Sequence, residues 1–87
     1  MRKLVKASYT IKNEEGLHAR PATDFCKTAG QFESDITVIK DGEEFEAKSI
    51  LMVLCMGAVK GDTIELVVNG KDENEALDAL IKTLDEE

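Results

Sequence analysis

The segment Gly16-Leu17-His18-Ala19-Arg20-Pro21-Ala22-Thr23 places the chain's single His, a basic residue and its single Pro within four positions. Asn13-Glu14-Glu15-Gly16 before it is a turn signal, and a helical stripe follows it. Pro is tolerated in the first turn of a helix, where its missing N–H has no partner to lose. His18 therefore falls near a helix N-cap. The amides of Ala19 and Arg20 then point outward, and with the positive end of the helix they make an anion site. Arg20 adds a planar guanidinium that fits phosphate oxygens. A neutral imidazole is a nucleophile, so this arrangement could take a phosphoryl group on a ring nitrogen and hold it. The same residues also fit a capping or surface histidine beside a charged neighbour, and so short a motif does not separate the two.

A second candidate is Ser49, which precedes seven consecutive apolar residues, Ile50-Leu51-Met52-Val53-Leu54-Cys55-Met56. By itself a Ser at that place is an ordinary N-cap. A helix lying on a sheet buries about one stripe of its circumference. Val53 and Met56 are the expected inward residues, so some of Ile50, Leu51, Met52, Leu54 and Cys55 face out. An outward apolar strip fits a docking patch, contact with another copy of the chain, or a more deeply buried helix. Cys26 lies on an apolar stripe and reads as a small buried hydrophobe. Asp24, Glu14-Glu15 and Glu43-Glu44 read as solvated turns and faces.

The elements that must position these residues follow from periodicity. Residues 3–11 alternate, with Val5, Ala7, Tyr9 and Ile11 on one side, as a half-buried strand does. Ala22, Phe25, Cys26 and Ala29 recur at helical spacing, and Gly30 fits the helix end. Residues 34–40 and 43–48 alternate around Asp41-Gly42, a two-residue hairpin signal. Ser49 starts the short helix Ile50 to Met56, which Gly57 closes. Ile64, Leu66 and Val68 make a fourth strand between Gly61 and Gly70. Asp72 with Glu75 resembles a capping box opening a helix through Leu77, Leu80, Ile81 and Leu84. The closing Asp85-Glu86-Glu87 opposes the helix dipole and is expected to fray. The order βαββαβα predicts an α+β open-faced sandwich, a four-stranded antiparallel sheet covered on one face by three helices.

At 87 residues the chain reads as a single domain, 1–87. Its 11 basic and 18 acidic residues give a net charge of −7, which argues against nucleic-acid binding. Residues 1–31 hold six basic and three acidic side chains, and residues 32–87 five and fifteen, so the part bearing His18 is locally basic. The longest charge-free stretch, Ser49 to Val59, is too short to span a bilayer. Met1-Arg2-Lys3-Leu4-Val5-Lys6 lacks an apolar core of signal-peptide length. Cys26, Cys55 and one His do not assemble a zinc site, and no metal or cofactor is expected. These features point to a reduced, cytoplasmic protein.

Gly16-Leu17-His18-Ala19-Arg20-Pro21-Ala22 resembles the active-site signature of the HPr family, the histidine-containing phosphocarriers of the bacterial sugar phosphotransferase system. Lys48-Ser49-Ile50, Gly57, Lys60-Gly61 and Asp72-Glu73-Asn74-Glu75-Ala76-Leu77 extend the likeness along the chain. The resemblance implies a phosphocarrier and no autonomous enzyme. His18 would accept a phosphoryl group on Nδ1 from enzyme I, charged by phosphoenolpyruvate, and pass it to enzyme IIA domains of sugar permeases. Arg20 and the amides of Ala19 and Arg20 would hold the group. Leu17, Thr23, Ile50, Leu51 and Leu54 would belong to the partner-docking face. Ser49 would be a regulatory phosphorylation site for an HPr kinase/phosphorylase, in service of catabolite repression through a transcription regulator. A monomer without membrane insertion is the family expectation. Met52, Cys55 and Gly30 depart from common family residues and bear on partner preference. Two other readings compete: a regulatory module acting through Ser49, and a small stand-alone enzyme using His18, for which the sequence offers no orienting partner or second acid–base group.

Overall fold

A computed structural model describes residues 4–87. The elements run β1 (Val5–Thr10), α1 (Ala19–Gly30), β2 (Asp35–Lys40), β3 (Glu43–Glu46), α2 (Ile50–Met56), β4 (Thr63–Asn69) and α3 (Glu73–Asp85). The part of the expected first strand at Lys3 lies outside the described residues. The strands form one sheet in the order β1-β4-β2-β3, and every neighbouring pair is antiparallel.

Alternation decides which side of the sheet is covered. Tyr9, Ile36, Val38, Ile64, Leu66 and Val68 are buried, and the register sets Tyr9 against Ile64, and Leu66 against both Ala7 and Val38. These side chains share one core with Phe25 of α1, Val53 of α2 and Leu80 of α3. All three helices therefore lie on one face, which is the expected open-faced sandwich. At the β2–β3 hairpin both central residues, Asp41 and Gly42, take positive φ (52° and 82°). That backbone twist matches the twist of the flanking strands.

Several local expectations are revised. β3 stops at Glu46, because Ala47 still donates to Ile36 O (3.1 Å) while Ser49 N already turns back onto Glu46 O (3.2 Å) to begin α2. Gly30 is the last residue of α1 and does not end it in a left-handed conformation; Gln31 caps the helix in the right-handed region. Asp72 is the N-cap residue of α3 but makes no capping hydrogen bond. Its carboxylate accepts instead from Glu33 N and Ser34 N (3.0 Å each) and from Ser34 Oγ, tying the α1–β2 loop to the start of α3. These bonds hold the Asp72 carboxyl below the usual carboxylate range. Nor does the C-terminal end of α3 simply fray. Asp85 accepts from Tyr9 Oη (2.7 Å) and Lys12 Nζ (3.0 Å), so the last turn is pinned to β1.

Candidate functional site

The site begins at the turn leaving β1. Asn13 closes it on both sides: its side-chain amide donates to Gly16 O (2.8 Å), and its carbonyl accepts from Gly16 N (3.2 Å). Gly16 has φ +65° and packs against the segment after α2. A Cβ there would stand 2.4 Å from Ala58 O. Leu17 N then donates to Ala58 O (2.9 Å), and Lys60 pairs with the Glu14 carboxylate. The hydrogen bond from Lys60 holds the Glu14 carboxyl below its ordinary range. The loop that presents His18 is thus fastened to the 57–62 connection, which itself continues from α2.

His18 is the N-cap residue of α1, with extended backbone (φ −131°, ψ 163°), and its side chain makes no capping hydrogen bond. The ring is half-buried and is not engaged in closing its own helix. Ala19 follows with φ +52°, an unusual conformation for a residue with a Cβ. Ala19 and Arg20 are exposed, and the first turn of α1 carries no acidic residue. The amides of that turn have no carbonyl one turn earlier to bond, so they are offered outward at the positive end of the helix. Pro21 is the third residue of α1, still within the turn where its missing N–H costs nothing. Thr23, also exposed, donates its hydroxyl back to Ala19 O (3.3 Å).

His18, Ala19 and Arg20 are thus brought together as the sequence implied. Leu17 is not available as a docking residue: it is fully buried, because its side chain plugs the core beneath the turn while its amide is bonded to Ala58. Lys27 stands in the last turn of α1, roughly 10 Å along the helix axis from Arg20.

Ser49 is the N-cap of α2, and its Oγ accepts from Met52 N at 3.2 Å. Val53 and Met56 face the core, and Ile50, Leu51 and Leu54 are exposed, Leu51 at 68 %. Cys55 is exposed as well. Val59 adds an exposed apolar side chain (50 %) in the segment that packs on Gly16. No periodicity marks Val59, since it lies in a connection whose path only the packing against Gly16 sets. Asp24, read from the sequence as part of a solvated face, is instead half-buried, with Oδ2 3.7 Å from Arg20 Nε.

Fold and site together define a small protein that presents a histidine, an arginine and helix-end amides at an open surface; among the described residues no enclosed pocket adjoins them. Residues 5–86 match the PTS-HPr family, described as the PTS HPr component phosphorylation site. The chain is 43 % identical over 77 residues to the phosphocarrier protein HPr of Neisseria meningitidis serogroup A, covering 88 % of this chain and 86 % of that protein. It is 39 % identical over 84 residues to the HPr-like protein Crh of Halalkalibacterium halodurans, covering 97 % and 100 %. The crystal structure of HPr-C-His from Thermoanaerobacter tengcongensis superposes with a TM-score of 0.92 at 40 % identity, covering 94 % of this chain and 92 % of that one. The chain belongs to the HPr family of phosphotransferase-system phosphocarriers.

Proposed function

We propose that His18 accepts a phosphoryl group from enzyme I and passes it to enzyme IIA domains of sugar permeases, within the cytoplasm. The observation that carries this reading is the placement of His18: an N-cap residue whose half-buried ring closes no hydrogen bond with its own helix, two residues before Arg20 and beside the outward amides of α1.

A ring nitrogen of His18 attacks phosphorus in line with the donor's bond. As the new N–P bond forms, the bond from phosphorus to the donor breaks, the donor atom keeps its electron pair, and the proton on the other ring nitrogen passes through solvent to that donor atom. Charge on the phosphoryl oxygens meets the Arg20 guanidinium and the amides of Ala19 and Arg20. The second reactant belongs to a separate protein, so the transfer geometry is completed only on docking. An open site with one cation and a few amides steadies the group without enclosing it, which suits a cargo that must leave again.

Ile50, Leu51 and Leu54 on α2, with Thr23 on α1, supply the docking face. Support comes from the apolar exposure of α2 beside a charged site, an arrangement usual at protein interfaces. Ser49 borders that face. A phosphate on it would add about −1.5 to −2 charges at the edge of the apolar patch and slow acceptance from enzyme I. The experiment is incubation with labelled phosphoenolpyruvate and enzyme I. A stoichiometric, acid-labile label that is lost in His18→Ala is expected. Absence of label with a competent enzyme I refutes the carrier reading.

A further inference from the structure

Asp24 stands one turn after Arg20 on α1, and the carrier reading gives it no task. Its Oδ2 lies 3.7 Å from Arg20 Nε. The two side chains differ in freedom: that of Arg20 is 87 % exposed, that of Asp24 only 36 %. The carboxylate is the more enclosed member and the guanidinium the more solvated one. The last residue, Glu87, folds back to the same place. Burial, and then a hydrogen bond and charge from Asp24, hold the Glu87 carboxyl above its ordinary range, with Arg20 acting in the opposite direction and Glu15 adding repulsion. A second carboxyl group, that of Glu87, therefore lies near both Asp24 and Arg20.

We propose that Asp24 is a positioning residue for the transfer: it holds the Arg20 guanidinium along α1 and so competes with the phosphoryl group for it. The inference rests on the reading of His18 as acceptor. In the unloaded protein Arg20 lies against its own helix. When the phosphoryl group arrives, Arg20 must leave Asp24 to meet the new oxygens, and when the group departs Asp24 takes it back. The carboxylate also repels the incoming dianion. Both effects weaken the phosphorylated form relative to the free one and keep the group transferable. Exposed pairs one helical turn apart are weak, so release of Arg20 is worth a factor of about two. Removing one charge roughly 10 Å from a dianion in water contributes a further factor of about two to four.

The test charges the full chain with labelled phosphoenolpyruvate and a limiting amount of enzyme I, and reads the equilibrium fraction of labelled protein. It compares the parent, Asp24→Asn, Asp24→Glu, Arg20→Ala and the Arg20→Ala/Asp24→Asn double variant. Asp24→Asn is expected to raise the ratio of loaded to free protein by about four- to eightfold. The Asp24→Glu variant should return towards the parent. In the Arg20→Ala background the gain should shrink to the part due to repulsion alone. Urea unfolding run in parallel separates a change in folding from a change in loading. A labelled parent with an unchanged Asp24→Asn overturns this inference and leaves the carrier reading standing, as does a gain of equal size with and without Arg20. An unlabelled parent overturns both.

Discussion

Replacing Gly16 by alanine would put a methyl carbon 2.4 Å from the Ala58 carbonyl oxygen and 2.7 Å from the Val59 Cα. Both neighbours are backbone, and the Ala58 oxygen is already bonded to Leu17 N at 2.9 Å, so it cannot swing aside without breaking that bond. The loop must move by roughly 1 Å to bring the contact back to ordinary van der Waals distance. The φ of +65° adds a separate cost, since a Cβ disfavours the left-handed region by about 1–2 kcal/mol. Conformation and displacement together should destabilise the fold by about 2–4 kcal/mol. His18 is two residues further on, and a misplacement of about 1 Å can cost up to roughly 100-fold in rate. Urea unfolding and the rate of acceptance from enzyme I measure the two effects. Gly30→Ala is the control: nothing lies within 4 Å of its Cβ position and no positive φ is required there. It should be neutral or stabilising by up to about 1 kcal/mol. A Gly16→Ala protein within about 0.5 kcal/mol of the parent would refute the reasoning, because that is the spread of an ordinary surface substitution.

Two further outcomes follow from other parts of the fold. Ser49→Ala removes the acceptor for Met52 N and should cost about 1 kcal/mol in urea unfolding; in Ser49→Asp the cap is kept but acceptance from enzyme I slows, and equal rates for Ser49→Asp and the parent would argue against a regulatory charge at this position. Tyr9 is raised from 10.0 to about 12, by burial first and then by its hydrogen bond and proximity to Asp85. The protonated phenol is the form the fold favours, so its contribution is complete below pH 10 and is lost as pH rises towards 12. Asp85 is depressed by Tyr9 first and then Lys12, so its contribution is present above the usual carboxylate range and is lost as pH falls. Chemical unfolding followed across pH 8–12 should show an alkaline decline that is reduced in Tyr9→Phe; an identical decline in that variant would show that the Tyr9 hydroxyl is not its source.

The elements were legible in the sequence because their signals are local. Alternation at Val5, Ala7 and Tyr9, helical spacing at Ala22, Phe25 and Ala29, and the Asp41-Gly42 turn each depend on residues a few positions apart. The same holds for the heart of the site: His18, Ala19 and Arg20 are contiguous, so one helix start is enough to assemble them. Val53 and Met56 were legible as the inward residues of α2 for a similar reason, since a single stripe of a short helix can be buried.

Where local rules misled, a distant segment had taken over a group's task. Asp72 has the sequence context of a capping residue, yet its carboxylate serves Glu33 and Ser34 across the fold. Leu17 sits in the signature beside His18, yet it is drawn wholly into the core because Gly16 lets the chain close on Ala58. The acidic end of the chain has the charge of a frayed tail, yet Asp85 is tied to Tyr9 and Lys12.

By itself, then, the amino-acid order determined the succession of strands and helices and the placement of residues 18–20 at one helix start, since these rest on backbone preference and hydrophobic spacing over a turn or two. The tertiary structure decided what surrounds that chemistry: the Ala58–Val59 wall behind Gly16, the exposed Val59 beside α2, and the Glu87 carboxyl group near Arg20. Those neighbours are 42 or more residues apart in the chain for Gly16 and Ala58, and 67 for Arg20 and Glu87. Only closure of the core brings such segments within contact distance, and no pattern of local spacing encodes which of them will meet.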